Sequence, residues 1–139
     1  MPVDVNQLKQ RVAEVLQAKA ELKRLTSKPF IKLTLDTKYA IRYHVIVIAE
    51  ALGAICLHIA NEGFGQTPFS YSECFTFLDE QGVCRDCARD LRPIIRLRNL
   101  LTHQYWVIDD EKVYFSIKND FKGVDKFLEI VSEKYGNGL

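Results

Sequence analysis

The chain has 139 residues, 47% of them apolar and 27% charged, with a formal net charge of +1 at pH 7. That is the size of one domain with enough apolar content for a real core. The near-balance of charge excludes a dedicated nucleic-acid coat, so any RNA contact must be local.

Helical periodicity runs the length of the sequence. Asp4 can cap a first helix to about Leu25, whose apolar stripe is Val5, Leu8, Val12, Val15, Leu16, Leu22 and Leu25. Pro29 closes the connection, and Asp36 can cap a second helix to about Asn61, with Gly63 suiting its end. Past Tyr43 this helix is apolar nearly all round, which marks it as central. Its β-branched run Val45–Ile48 also fits a strand by propensity; the length of the segment decides for helix. The stretch Val45 to Ala60 holds Glu50 and His58 and is too short to span a membrane. After a loop from Gly63 to Pro68, Ser70-x-x-Glu73 is a capping box that opens a third helix ending near Glu80. A fourth covers about Val83 to Tyr105, kinked or restarted at Pro93. Asp109-Asp110 marks a turn, and a last helix, in one or two pieces, covers about Glu111 to Tyr135. The expectation is one all-α domain over 1–139 (core about 4–135), a four- to five-helix up-down bundle.

Met1-Pro2-Val3-Asp4 lacks the charged-then-apolar order of a secretory signal. A cytoplasmic protein with Cys56, Cys74, Cys84 and Cys87 as free thiols is the simplest expectation. Cys84-x-x-Cys87 lacks the partners of a structural zinc site and the β-α-β setting of a redox motif, so it reads as two half-buried neighbours on a helix. His44 and His58 read as packed side chains with satisfied hydrogen bonds. Glu50 lies on the otherwise apolar seam Tyr43, Ile46, Glu50, Gly53, Leu57 and needs a partner, for which Arg42, Arg96 and Arg98 are candidates. That pair either holds two helices in register or serves catalysis. The arginines Arg85, Arg89, Arg92 and Arg96 recur at helical spacing towards Arg98, either as a solvated face or as a rail for a nucleic-acid strand.

The stretch Arg98-Asn99-Leu100-Leu101-Thr102-His103-Gln104-Tyr105 gathers groups suited to phosphodiester chemistry. With Arg98 at zero on a helical wheel, Asn99 falls at ~100° and His103 at ~140°, with Thr102 and Tyr105 on the side of Arg98. The polar groups form one arc, with Leu100 and Leu101 free to face a core.

This stretch resembles the Arg-x4-His-x-Tyr motif of HepT-like toxins in the HEPN superfamily, with Asn99 directly after the arginine. Tyr39–Arg42 with Ala49–Ala51, Tyr71–Leu78 with Gly82-Val83, and Ile108–Tyr114 resemble the surrounding segments, so the similarity covers roughly residues 4 to 135. Pro93, five residues before Arg98, is the one departure. The resemblance implies a homodimeric helical bundle acting as a metal-independent endoribonuclease without cofactor, the toxin of a type VII-like toxin–antitoxin pair. Its implied partner is a minimal nucleotidyltransferase that can adenylylate the motif tyrosine, here Tyr105. The implied catalytic residues are Arg98 and His103, with Asn99 and Tyr105 supporting; Glu50 and Arg96 are candidates behind them.

The residues themselves fit that chemistry. Cleavage through the 2′-hydroxyl needs a base, an acid and positive charge for the transition state; an imidazole can be either of the first two, and an arginine fork the third. One chain offers one site histidine where two proton carriers are wanted, which a two-fold dimer would supply. The competing reading is a non-catalytic helical module that binds a nucleotide, or docks the nucleotidyltransferase, through Arg98 and Tyr105.

Overall fold

Helix α1, Val5–Leu25, starts where the sequence puts it because Asp4 Oδ1 accepts the amides of Asn6 (3.0 Å) and Gln7 (3.3 Å). The Asp4 amide in turn donates to His58 Nε2 at 3.0 Å. This satisfies His58 and sets the start of α1 beside the far half of the next helix, so the two pack antiparallel. The structure, a computed structural model, describes residues 3–103 and 108–136. Its described residues form six α-helices and one short 3-10 turn, with no strand among them.

Helix α2, Leu35–Phe64, is the bundle's axis and buries eleven residues, among them Ile41, Val45, Ile48, Leu52, Ile55 and Ile59. The β-branched run is therefore helical: inside a core, burial outweighs the small helix-propensity cost of branching. Thr34 caps it rather than Asp36, accepting the Thr37 amide at 3.1 Å. Gly65 ends it rather than Gly63, with φ at 66° in the left-handed region that glycine tolerates best. At 30 residues the helix is long and apolar enough, by length and composition, to cross a membrane, so the argument from shortness fails. What identifies it as a core helix is its packing against α1 and the helices that follow.

Helix α3, Tyr71–Glu80, opens on the expected capping box: Ser70 Oγ accepts the Glu73 amide (3.1 Å), and Glu73 Oε2 accepts the Phe69 amide (3.2 Å). Helix α4, Cys87–His103, packs against α2 and α3 and begins four residues later than expected. The reason is Asp86, whose φ of 61° turns the chain and leaves Cys84 outside the helix. That turn brings Cys84 and Cys87 to a Cα separation of 5.7 Å, where they form a disulfide. Both are fully buried, so the expectation of half-buried free thiols is corrected for this pair; Cys56 and Cys74 are free and buried. Pro93 does not break α4, which runs through it from Cys87 to His103.

The expected last helix is two, α5 Asp110–Asp120 and α6 Lys122–Tyr135, so the bundle has one helix more than the four or five expected. Asp109 caps α5. The Tyr114 hydroxyl on α5 lies 3.2 Å from the Thr26 carbonyl and 2.7 Å from that of Lys28, tying α5 to the end of α1. Phe75 of α3 and Phe127 of α6 meet edge-to-face at 5.4 Å in the core. His44 departs from expectation: its Nδ1 is buried without a hydrogen-bond partner among the described residues.

Candidate functional site

The motif arginine lies where a hydrophobic residue would be expected. With Arg98 at zero on the wheel of α4, the buried residues Cys87, Leu91, Ile94, Ile95, Leu97 and Leu101 fall on the same half of the helix, within ~100° on either side. Arg98 is thus at the middle of the core-facing side. Arg89, Arg92, Arg96, Asn99 and His103, all exposed, occupy the opposite arc from ~100° to ~180°. The single polar arc read from the sequence is therefore split: Arg98 turns inward, and Asn99 and His103 face out.

A guanidinium in that position needs a counter-charge. Glu50 of α2 supplies it, with Oε1 at 2.7 Å from Arg98 Nε and 2.6 Å from a terminal nitrogen. The other carboxylate oxygen accepts the Tyr71 hydroxyl of α3 at 2.7 Å, and the guanidinium lies over the Tyr71 ring, 5.2 Å from its centroid. One ion pair and one phenol thereby join three helices. Gly53, one turn beyond Glu50 on α2, makes room for the ring: a Cβ there would fall 2.5 Å from Tyr71 Cδ1. Burial, and next the bond to Glu50, push the Tyr71 phenol up to about 12. Of the other arginines considered for Glu50, Arg42 is bound bidentately to Asp110 of α5 (2.8 and 2.7 Å). Arg96 is exposed on the far side of α4, which corrects its place behind the site.

Asn99 Oδ1 accepts from the third nitrogen of Arg98 at 2.8 Å, and the Asn99 amide nitrogen has no partner among the described residues. Thr102 Oγ1 bonds back to the Arg98 carbonyl at 3.0 Å. The bonds to Glu50 and Asn99 engage all three nitrogens of Arg98 and use three of its five N–H groups, and Arg98 also lines a cleft of about 230 Å³ with Leu57, Phe69, Tyr71, Ile95 and Asn99. His103 is the last residue of α4 and is exposed. Tyr105 lies outside the described residues. Of the arginine rail, Arg85 is off the helix and Arg89 is engaged by Asp86 and Asp90 (3.6 and 3.2 Å), so the stripe leading to His103 is Arg92 and Arg96. No cluster of metal-ligating side chains is present among the described residues. Tyr71 and Phe69 were not singled out from sequence as site residues; Gly53, three residues after Glu50, was the one available sign that something bulky lies against that seam.

The ribonuclease HepT-like family profile matches residues 11–131. The chain belongs to this family. Among curated proteins no relative matches. Among solved structures this HepT-like chain is similar to a toxin–antitoxin solved with AMP-PNP, at TM-score 0.84 and 14% identity over 93% of this chain and 99% of that one. It is also similar to a tri-AMPylated HEPN toxin of Shewanella oneidensis in complex with its MNT antitoxin, at TM-score 0.83 and 15% identity over 92% and 98%. A third, the Bacillus subtilis cytosolic protein of unknown function YutE, matches at TM-score 0.73 and 18% identity over 92% and 93%. At these identities the likeness establishes the shared all-helical fold.

Proposed function

We propose that this HepT-like chain is a cytoplasmic, metal-independent endoribonuclease, the toxin of a pair whose antitoxin is a minimal nucleotidyltransferase. The observation that carries the reading is the division of labour on α4. Arg98 is fixed by Glu50 and Asn99 at the wall of a cleft with two N–H groups uncommitted to them, while His103 stands exposed ~140° round the same helix. A preorganised guanidinium stabilises charge that develops on a phosphorane-like transition state without reorganising during the reaction. His103 exchanges protons with the 2′-hydroxyl or the 5′-oxygen. A homodimer that brings two such helices together supplies both proton carriers, and the products carry 2′,3′-cyclic phosphate and 5′-hydroxyl ends.

A toxin–antitoxin structure and an AMPylated HEPN toxin in complex with its MNT antitoxin, both of the same fold, support the assignment of the partner; Tyr105 is assigned as the residue it modifies because it is the motif tyrosine. The decisive experiment expresses wild type beside His103→Ala and scores growth and RNA ends. His103→Ala should lower cleavage by two orders of magnitude or more, in the range of a lost general acid or base, and a 2′-deoxy substrate should be inert. Cutting that requires Mg²⁺, or that survives His103→Ala undiminished, sinks this reading. A second reading, a non-catalytic nucleotide-binding or docking module, gains support from the commitment of Arg98 to an internal ion pair. It predicts binding of nucleotide or partner with RNA left whole.

A further inference from the structure

The cleft beside Arg98 has a wall that the cleavage chemistry does not use. Phe69 is 99% exposed, yet its backbone is pinned by the capping box, its amide donating to Glu73 and the next residue capping α3. The capping box thus fixes the backbone that carries a large aromatic side chain, which no described residue covers. Arg98 and Asn99 line the same cleft, together with Ser70 and Ser72 and the apolar Leu57 and Ile95. Glu50 and Tyr71 hold the guanidinium in place, and the two N–H groups not used by Glu50 and Asn99 remain for a ligand.

The lining of this cleft thus offers a cation and an amide that suit an anion, and an aromatic face that suits a flat apolar ring. A nucleotide carries both. The volume, about 230 Å³, lies below the ~300–1,000 Å³ of drug-sized sites, which fits one base with its phosphate. A base inside a duplex offers only its edges in the grooves; to stack on a side chain it must be unpaired. We propose that the cleft between α2, α3 and α4 is a subsite for one unpaired RNA nucleotide, with its base stacked on Phe69 and its phosphate on Arg98 and Asn99. The proposal rests on the ribonuclease reading of the same site and adds its substrate class: single-stranded RNA with an unpaired base beside the cut.

The test uses the purified chain and short single-stranded RNAs carrying 2-aminopurine at each position in turn, bound to His103→Ala so that the strand stays intact. Binding should quench the fluorophore at one position. Phe69→Ala should weaken binding about tenfold or more, the order of one lost base–aromatic stack, while Phe69→Trp recovers most of the loss. Because Phe69 is exposed, its variants should melt with wild type by circular dichroism, separating binding from folding. The same sequence as a duplex should neither quench nor be cut. The subsite is overturned if Phe69→Ala binds RNA as wild type does, or if the change weakens only association with a second copy or with a nucleotidyltransferase. Should His103→Ala abolish cutting at the same time, the ribonuclease reading stands without the subsite. If wild type cuts no RNA yet Phe69→Ala loses the quenching, the subsite stands and the ribonuclease reading falls.

Discussion

Glu50, Tyr71 and Arg98 show how one charged residue is kept on the core side of a helix. Removing the carboxylate leaves a half-buried guanidinium unpaired, a change that costs several kcal/mol when the site is fully enclosed. The Glu50 and Arg98 side chains are 41% and 25% exposed, and screening reduces the figure. Glu50→Ala should therefore lower stability by about 1–2 kcal/mol, read from urea midpoints, and Glu50→Gln by less because it keeps both hydrogen-bond partners. The Tyr71 phenol is raised to about 12 in the folded chain, above the ordinary tyrosine value near 10. Between those pH values the unfolded chain loses a proton that the folded chain keeps. The stabilisation is thus complete below about pH 10 and fades as pH rises towards 12. Burial also raises the Tyr135 phenol, so absorbance titration should show a late phase that loses one phenol in Tyr71→Phe; no change in that phase would refute the buried placement of Tyr71 beside Glu50. The sequence disclosed Glu50 as a carboxylate on an apolar seam but not its partner, because the choice among Arg42, Arg96 and Arg98 depends on how α2 and α4 pack. A wheel drawn over the eight motif residues alone did not reveal that Arg98 turns inward; that takes the whole of α4, whose apolar Leu91, Ile94, Ile95, Leu97 and Leu101 flank it.

Whether an element's ends could be read depended on how many capping residues competed. Asp4 and Ser70 stand alone at the starts of α1 and α3, and both were placed correctly. Thr34 and Asp36 compete two residues apart, as do Gly63 and Gly65; composition does not separate them, and only φ does. Asp86 in the left-handed region gave no sequence sign, so the start of α4 and the Cys84–Cys87 disulfide were missed. Two outcomes belong to this scale. Gly53→Ala should destabilise despite alanine's advantage within a helix, because its methyl would enter the Tyr71 ring. A second change, Tyr71→Leu, should recover part of the loss, and additive costs for the pair would refute that contact. Pro93 lies inside α4, where its missing N–H leaves the Arg89 carbonyl without its helical bond. Pro93→Ala should raise the urea midpoint, by about 1–3 kcal/mol in stability terms.

For the whole molecule, the all-α class was legible because helical periodicity is continuous and α2 is apolar nearly all round. Whether the last segment was one helix or two stayed open in the sequence; the structure divides it at Phe121. The dimer is the claim this scale tests. If the site is shared between two chains, cleavage per chain should fall on dilution through the dimer–monomer transition, followed by sedimentation; a rate that persists in monomers would locate the whole site in one chain. Two ion pairs described above also bear on assembly. The segment from Arg98 to Asp110 is tied to α2 at both ends, at Glu50 and at Arg42, about 12 Å apart along the helix. The polarity of the two ties is inverted: acid on α2 at one, base on α2 at the other. Threading the segment in the opposite direction would set Arg98 against Arg42 and Asp110 against Glu50, two repulsive encounters. The pair of ties therefore works as a keyed connector that accepts the motif segment in one orientation and rejects its reverse.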